Sequence, residues 1–141
     1  YMGYNFTEVR SMENIKEEML EKKLWVVAGV TAKKDRYGYK IWKKLKEHGY
    51  ETYGVNPNYN EIEGEKIYHS VKDLPKKVDV LDMVVRPNIA LKTLEEAKEA
   101  DIEYIWFQPG SYNDEVIEKA KELGFKILYN DCVYATLRQK E

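Results

Sequence analysis

Five short stretches punctuate the chain, at Leu24–Val30, Tyr50–Val55, Val78–Val85, Glu103–Phe107 and Phe125–Tyr129. The first, Leu24-Trp25-Val26-Val27-Ala28-Gly29-Val30, is apolar throughout rather than alternating, as a strand covered on both faces should be. Between the stretches, apolar residues recur at helical spacing: Tyr37, Ile41, Leu45 and His48 in one segment, Ile89 or Ala90, Leu94 and Ala97 in the next, and Val116, Ile117, Ala120 and Leu123 in the last. Gly49 and Gly124 follow two of these segments where a left-handed helix cap favours glycine, and Pro87 suits the first turn of the third. A further helix is expected from about Ser11 to Lys22, with Ser11 as its cap and Met12, Ile15 and Met19 facing inward. Residues 56–75 carry Asn, Gly and Pro without a periodic run, which predicts a loop with a short turn near Asp73-Leu74.

Strand alternating with helix predicts the α/β class. The expected architecture is a Rossmann-like three-layer domain with a five-stranded parallel sheet and an added N-terminal helix. Strand order 3-2-1-4-5 is expected, so that the first and fourth strands meet where the order reverses. One domain accounts for residues 1–141, with an extension and helix over 1–23 and the Rossmann-like core over 24–133.

Composition narrows the partners. The 141 residues are 43% hydrophobic, enough for one sizeable core. Charges nearly balance, 23 Lys+Arg against 25 Asp+Glu, which lacks the basic excess of a general nucleic-acid binder. Phosphate recognition must therefore be local. A single cysteine, Cys132, cannot form an intramolecular disulfide. The apolar runs are too short to cross a bilayer and no cleavable signal pattern opens the chain, so a soluble cytoplasmic domain without nucleic-acid or membrane partners is expected. His48 and His69 have no companion at metal-ligand spacing, and no metal is expected. Asp79 and Asp82 stand three apart on a strand and point to opposite faces, which argues against joint acid–base work. Glu61, Glu63 and Glu65 are read as solvated, and Trp25, Trp42 and Trp106 as core.

In an open parallel sheet, ligands bind beyond the carboxyl ends of the strands. After the first strand, Gly29-Val30-Thr31-Ala32-Lys33-Lys34-Asp35-Arg36-Tyr37-Gly38 leads directly into a helix. A polar turn before a helix N-terminus offers free N–H groups and a favourable dipole to an anion, and Thr31, Lys33, Lys34 and Arg36 add a hydroxyl and charge. The dinucleotide fingerprint is not matched, because Thr31 and Lys34 stand where its second and third glycines would lie. The second strand also ends in Val55-Asn56-Pro57 rather than in the acidic residue that holds an NAD ribose. A phosphate-bearing nucleotide other than NAD is indicated.

Taken in order, Gly29-Val30-Thr31 with Arg36, Val55-Asn56-Pro57, Gly64-Glu65-Lys66-Ile67-Tyr68, Arg86-Pro87, Trp106-Phe107-Gln108-Pro109-Gly110 and Asn130-Asp131-Cys132 resemble the small stand-alone CoA-binding proteins. These are similar to the CoA-binding domain of the succinyl-CoA synthetase α subunit. The resemblance spans roughly Leu24 to Val133 and implies CoA or an acyl-CoA as ligand. It implies that Gly29, Val30, Thr31, Lys33, Arg36 and Tyr37 receive the phosphates; among the aromatic residues, Tyr37 is the one read apart from the core, as a contact for adenine or pantetheine. Asn56 and Pro57 would shape the adenine and ribose side, Arg86 and Pro87 the third strand end, and Gln108, Pro109 and Gly110 the opposite wall. The usual Gly-Ala-Ser of the family is Gly29-Val30-Thr31 here, which keeps a hydroxyl and adds bulk.

The resulting expectation is non-catalytic binding of CoA or an acyl-CoA in a sensing, regulatory or accessory role, since no nucleophile–base pair stands out. Two alternatives stay open: an accessory enzyme using NAD(P) or a CoA thioester with Cys132 as its reactive group, and an oligomeric scaffold that has lost its ligand. The sequence leaves both a homo-oligomer and a protein partner open.

Overall fold

The computed structural model describes the backbone of residues 6–141 and the side chains from residue 10 onward. In chain order the elements are α1 (Phe6–Glu21), β1 (Leu24–Ala28), α2 (Tyr37–Glu47), β2 (Glu51–Val55), β3 (Glu61–Ile62), β4 (Glu65–Lys66), a 3₁₀ turn (Val71–Asp73), β5 (Val80–Met83), α3 (Pro87–Glu99), β6 (Tyr104–Phe107), α4 (Asp114–Glu122), β7 (Lys126–Leu128) and α5 (Val133–Arg138). Five strands form one parallel sheet in the order β2-β1-β5-β6-β7, and β3 and β4 pair as a small antiparallel hairpin. No helix among the described residues is long and apolar enough to cross a membrane.

The parallel five-stranded sheet with helices on both faces agrees with the expected class, but the strand order differs. Counting only the sheet strands it is 2-1-3-4-5, not 3-2-1-4-5. The reason lies in what each strand can afford to expose. Val80-Leu81-Asp82-Met83 is buried at every position and needs neighbours on both sides, whereas Glu51-Thr52-Tyr53-Gly54-Val55 carries an exposed Glu51 and a half-buried Tyr53 and suits an edge. Order therefore reverses between β1 and β5, the first and third sheet strands, rather than at the fourth.

Two apolar layers follow from the alternation of side chains along the strands. Val26, Ala28, Leu81, Met83, Ile105, Phe107 and Ile127 face α3 and α4, which contribute Ala90, Leu94, Ala97, Val116, Ile117 and Ala120. Trp25, Val27, Val80, Tyr104, Trp106 and Leu128 face the other way, toward Met19 of α1, Ile41, Trp42 and Leu45 of α2, and Val133 and Leu137 of α5. All three tryptophans, expected in the core, lie in this second layer with 1% exposure or less. In the third helix Ala90 is the buried member of the Ile89/Ala90 choice.

Gly49 (φ 88) and Gly124 (φ 85) follow the last residues capping α2 and α4, as their position predicts. His48 is the C-cap of α2 and bonds Glu141. The N-terminal helix starts earlier than expected. Ser11 lies within α1 rather than capping it, because no glycine or proline interrupts residues 6–10 and each added residue extends a helix at little cost. The 56–75 connection holds the hairpin and the 3₁₀ turn, the latter capped by Ser70 Oγ accepting the Lys72 N–H at 3.2 Å. The exposed hairpin glutamates do more than meet solvent. Glu63 accepts the Tyr39 hydroxyl at 2.5 Å and pairs with Lys43 at 2.9 Å, and Glu65 pairs with Lys46, so the hairpin is moored to α2.

Candidate functional site

The carboxyl ends of β1, β2, β5 and β6 lie side by side, and every expected site residue falls on the loops that leave them or, for Tyr37 and Pro87, at the first residue of the helix that follows. Gly29, Val30, Thr31, Lys33, Arg36 and Tyr37 follow β1; Asn56 and Pro57 follow β2; Arg86 and Pro87 follow β5; Gln108, Pro109 and Gly110 follow β6. Because β5 is the direct neighbour of β1, Arg86 stands at the reversal point itself. The helices that start there, α2 and α3, depart to opposite faces of the sheet and leave a crevice between their first turns.

Close packing builds the floor. Gly29 has φ +105, and a Cβ there would lie 3.1 Å from the backbone nitrogen of Val85, so the end of β1 abuts the end of β5. Gly38 lets the first turn of α2 sit on that floor, since a Cβ at 38 would come within 2.2 Å of the Gly29 carbonyl oxygen. Val30 is fully buried and packs over Gly54, where a Cβ would meet it at 2.8 Å. The bulk that Val30 adds is thus taken up inside the core.

Hydrogen bonds fix the loops. Asn56 Nδ2 donates to the Val30 carbonyl at 2.8 Å while Asn56 Oδ1 accepts the Asn58 N–H at 2.8 Å, tying the β2 loop to the β1 loop. Thr31 Oγ1 accepts the Lys33 N–H at 3.2 Å and shares a 2.9 Å bond with the Tyr59 hydroxyl. That Thr31 contact, helped by the Ala32 backbone, lowers the Tyr59 phenol below its usual range. Gln108 differs from its neighbours Pro109 and Gly110: they are exposed, whereas its side chain is buried and bonded within the protein.

The helix starts at the crevice are electrically unusual. Arg36 and Arg86 occupy the N-cap positions of α2 and α3, neither caps with its side chain, and neither helix has an acid in its first turn. A cation at a helix N-terminus opposes the dipole, and an uncapped first turn leaves N–H groups without partners. Away from the crevice, α4 follows the ordinary rule: Asn113 Oδ1 accepts the Val116 N–H at 3.0 Å, with Asp114 and Glu115 behind it. Lys33 and Lys34 are exposed beside Arg36.

A cavity of about 240 Å³ opens beside Gly29, Asn56, Pro57 and Val85, continued by His69, Ile89, Lys92, Thr93 and Glu96. None of these last five is among the site residues expected from the sequence, where His69 stands only as a lone histidine and Ile89 only as a helix-row residue. Ile89, Lys92, Thr93 and Glu96 share one helical stripe, and Ile89, the alternative to Ala90 in the apolar row, is 43% exposed. Tyr37, also placed in an apolar row, is 56% exposed and meets Tyr134 edge-on at 5.9 Å. A second cavity, lined by Met12, Ile15, Phe125 and Ile127, lies at the β7 edge away from the strand ends. Cys132 is half-buried at the N-cap of α5, and its N–H is held by Asp131 Oδ1 at 2.8 Å. Among the described residues no group of three or more His, Cys, Asp or Glu could hold a metal ion.

Residues 23–138 match a protein family described as a CoA binding domain. An uncharacterised protein of Bacillus subtilis is 29% identical over 123 residues, covering 87% of this chain and 91% of its own. The α subunit of an ADP-forming acetate–CoA ligase of Pyrococcus furiosus is 30% identical over 118 residues, 76% of this chain and 26% of that subunit. The chain thus spans about a quarter of the length of that ligase subunit. Among solved structures, a protein from Pyrococcus horikoshii superposes with a TM-score of 0.83 at 36% identity, over 90% of this chain and 89% of that one.

Proposed function

We propose, from the premise that the chain belongs to the CoA-binding domain family, that the crevice at the ends of β1, β2 and β5 holds CoA or an acyl-CoA and that the domain's part is binding rather than chemistry. The observation that carries this reading is the pair of uncapped helix starts. Arginine at both N-caps is unfavourable for an isolated helix and favourable once phosphate lies between them. CoA brings a pyrophosphate and a 3′-phosphate, and Arg36, Arg86, Lys33 and Lys34 supply the charge to meet them. The residues present therefore fit the group.

In this reading Gly29 and Val30 give the floor its shape, and Thr31 and Asn56 hold the loops that approach the phosphates. Tyr37 and Pro57 offer apolar surface to adenine or pantetheine, Pro87 sets the start of α3, and Pro109 and Gly110 form the far wall that Gln108 supports from within. The module acts as a cytoplasmic sensor or accessory that presents or senses the CoA pool.

Calorimetric titration tests this, with CoA, 3′-dephospho-CoA and NAD as ligands and Arg36→Ala as the variant. CoA is expected to bind most tightly, and Arg36→Ala to weaken it by about tenfold, the ordinary worth of a charge-assisted bond. Absence of heat with CoA would overturn the reading and leave the scaffold alternative.

A further inference from the structure

Asp82 is the one acidic side chain among the described residues that is fully buried. Alternation along β5 turns it toward the layer of α1, α2 and α5, in register with Val27 and Trp106. Its Oδ1 accepts Gln108 Nε2 at 2.5 Å, and its Oδ2 has no partner among the described residues. Gln108 Oε1 in turn accepts the N–H of Val133, the first residue of α5, at 3.2 Å. This second bond fixes the amide. A backbone N–H can only donate, so the Gln108 oxygen must face Val133 and its NH₂ must face Asp82.

The same glutamine organises the loop. Its carbonyl accepts both the Ser111 N–H at 3.1 Å and the Ser111 hydroxyl at 2.7 Å, closing the turn that exposes Pro109 and Gly110. Its N–H donates to the Met83 carbonyl at 3.0 Å. The end of β5, the turn after β6 and the start of α5 are therefore joined through one amide and one carboxyl.

We infer that Asp82 is a positioning residue of the crevice: through Gln108 it holds the Gln108–Ser111 turn against the start of α5, and the wall loosens when Asp82 loses its proton. This rests on the crevice being the CoA site. With Gln108 oriented by Val133, Asp82 Oδ1 is an acceptor in either state, so the proton resides on Oδ2. Without it, the buried carboxylate shares its charge between Oδ1, which Gln108 meets, and Oδ2, which no donor among the described residues meets, and burial outweighs that one bond, so relief requires the clamp to part and admit water. Burial pushes the carboxyl up to about 8, with the Gln108 bond opposing.

Charged groups around it are engaged elsewhere. On α2, Lys43, Lys44 and Lys46 pair with Glu63, Glu141 and Glu65, and Lys40 lies over the Tyr37 ring. On α1, Lys16 pairs with Asp131 and Glu18 accepts the Tyr104 hydroxyl. On α5, Arg138 lies over the Tyr134 ring, and Asp131 and Cys132 precede the helix. At Asp82 burial favours the neutral carboxyl and the Gln108 amide opposes it, burial being the larger.

The test is a nuclear magnetic resonance titration of the wild-type chain from about pH 6 to about pH 9.5, following Asp82 Cγ, the Gln108 side-chain NH₂ and the Val133 amide. CoA calorimetry is run across the same range on the wild type and on Asp82→Asn, which keeps an acceptor for Gln108 but cannot ionise. Gln108 and Val133 are expected to shift with the midpoint of Asp82. CoA affinity should fall about fivefold above that midpoint in the wild type and stay level in Asp82→Asn. A Val133 amide indifferent to Asp82, or an identical pH dependence in both proteins, would overturn the inference. If Gln108 and Val133 follow Asp82 while CoA binds at no pH, the clamp stands and the CoA reading falls. Should Asp82→Asn fail to fold, Gln108→Leu, which leaves Asp82 able to ionise but cuts its link to Val133, is expected to leave the Val133 amide indifferent to the Asp82 midpoint, and a Val133 amide that still follows it would overturn the inference.

Discussion

Gly38 shows how much one missing methyl can decide. In an exposed helix, replacing glycine by alanine gains about 1 kcal/mol from propensity alone. At this site the added carbon would lie 2.2 Å from the Gly29 carbonyl oxygen, a backbone atom that cannot swing aside. Gly38→Ala is therefore expected to lower stability by about 1–3 kcal/mol despite the better helix former. Chemical denaturation midpoints of the two proteins measure this, and a stabilised variant would show that α2 does not rest on Gly29. The dinucleotide fingerprint does not reach this glycine, because its third glycine is fixed five residues after the first, at position 34 here. Here the loop is longer and α2 begins only at Tyr37, so the glycine that allows close packing arrives four residues later. Val30 was legible as a departure from pattern, but its accommodation was not, since Gly54 lies on another strand and no local window joins the two.

At the scale of elements, strands and helices were legible where a run was both apolar and bounded, as in Leu24–Ala28 and in the amphipathic segments closed by Gly49 and Gly124. Strand order was less so, although the contrast between Val80-Leu81-Asp82-Met83 and Glu51-Thr52-Tyr53-Gly54-Val55 carried the signal for which of the two is an edge. The N-caps of α2 and α3 were in plain view in the sequence, yet an arginine before a helix reads as ordinary surface until the opposite helix start is known. Their cost to the fold is measurable. Arg86→Asp supplies α3 with a proper cap and a favourable charge, so stability should rise by roughly 0.5–1 kcal/mol. CoA affinity should fall in the same variant. Thermal unfolding and calorimetry together check both signs, and a variant that gains stability without losing affinity would remove Arg86 from the site.

For the molecule as a whole, buried and exposed carboxyls pull stability in opposite directions along the pH axis. Bonds from Tyr104 to Glu18, from Tyr39 and Lys43 to Glu63, and from Lys44 and His48 to Glu141 hold those carboxyls below their usual range, so their contributions are present near neutrality and fade on acidification. Asp82 does the reverse. Raised from 3.8 to about 8, it keeps in the native state a proton that the unfolded chain has already released. Its contribution is complete in acid, declines as pH rises and is gone beyond its folded value. Relative to Asp82→Asn, the wild type is expected to lose stability steadily as pH rises from about pH 5 to about pH 7, on the order of 1 kcal/mol per pH unit, and less steeply toward about pH 8. Urea unfolding at several pH values gives this difference, and a constant gap would mean that the carboxyl titrates as an exposed one. The confinement of Trp25, Trp42 and Trp106 to one layer has an optical consequence: light absorbed by indole interrogates the layer of α1, α2 and α5 and is blind to the layer of α3 and α4, which holds tyrosines but no tryptophan. The fold thus carries a one-sided fluorophore set, and Asp82 lies on the lit side.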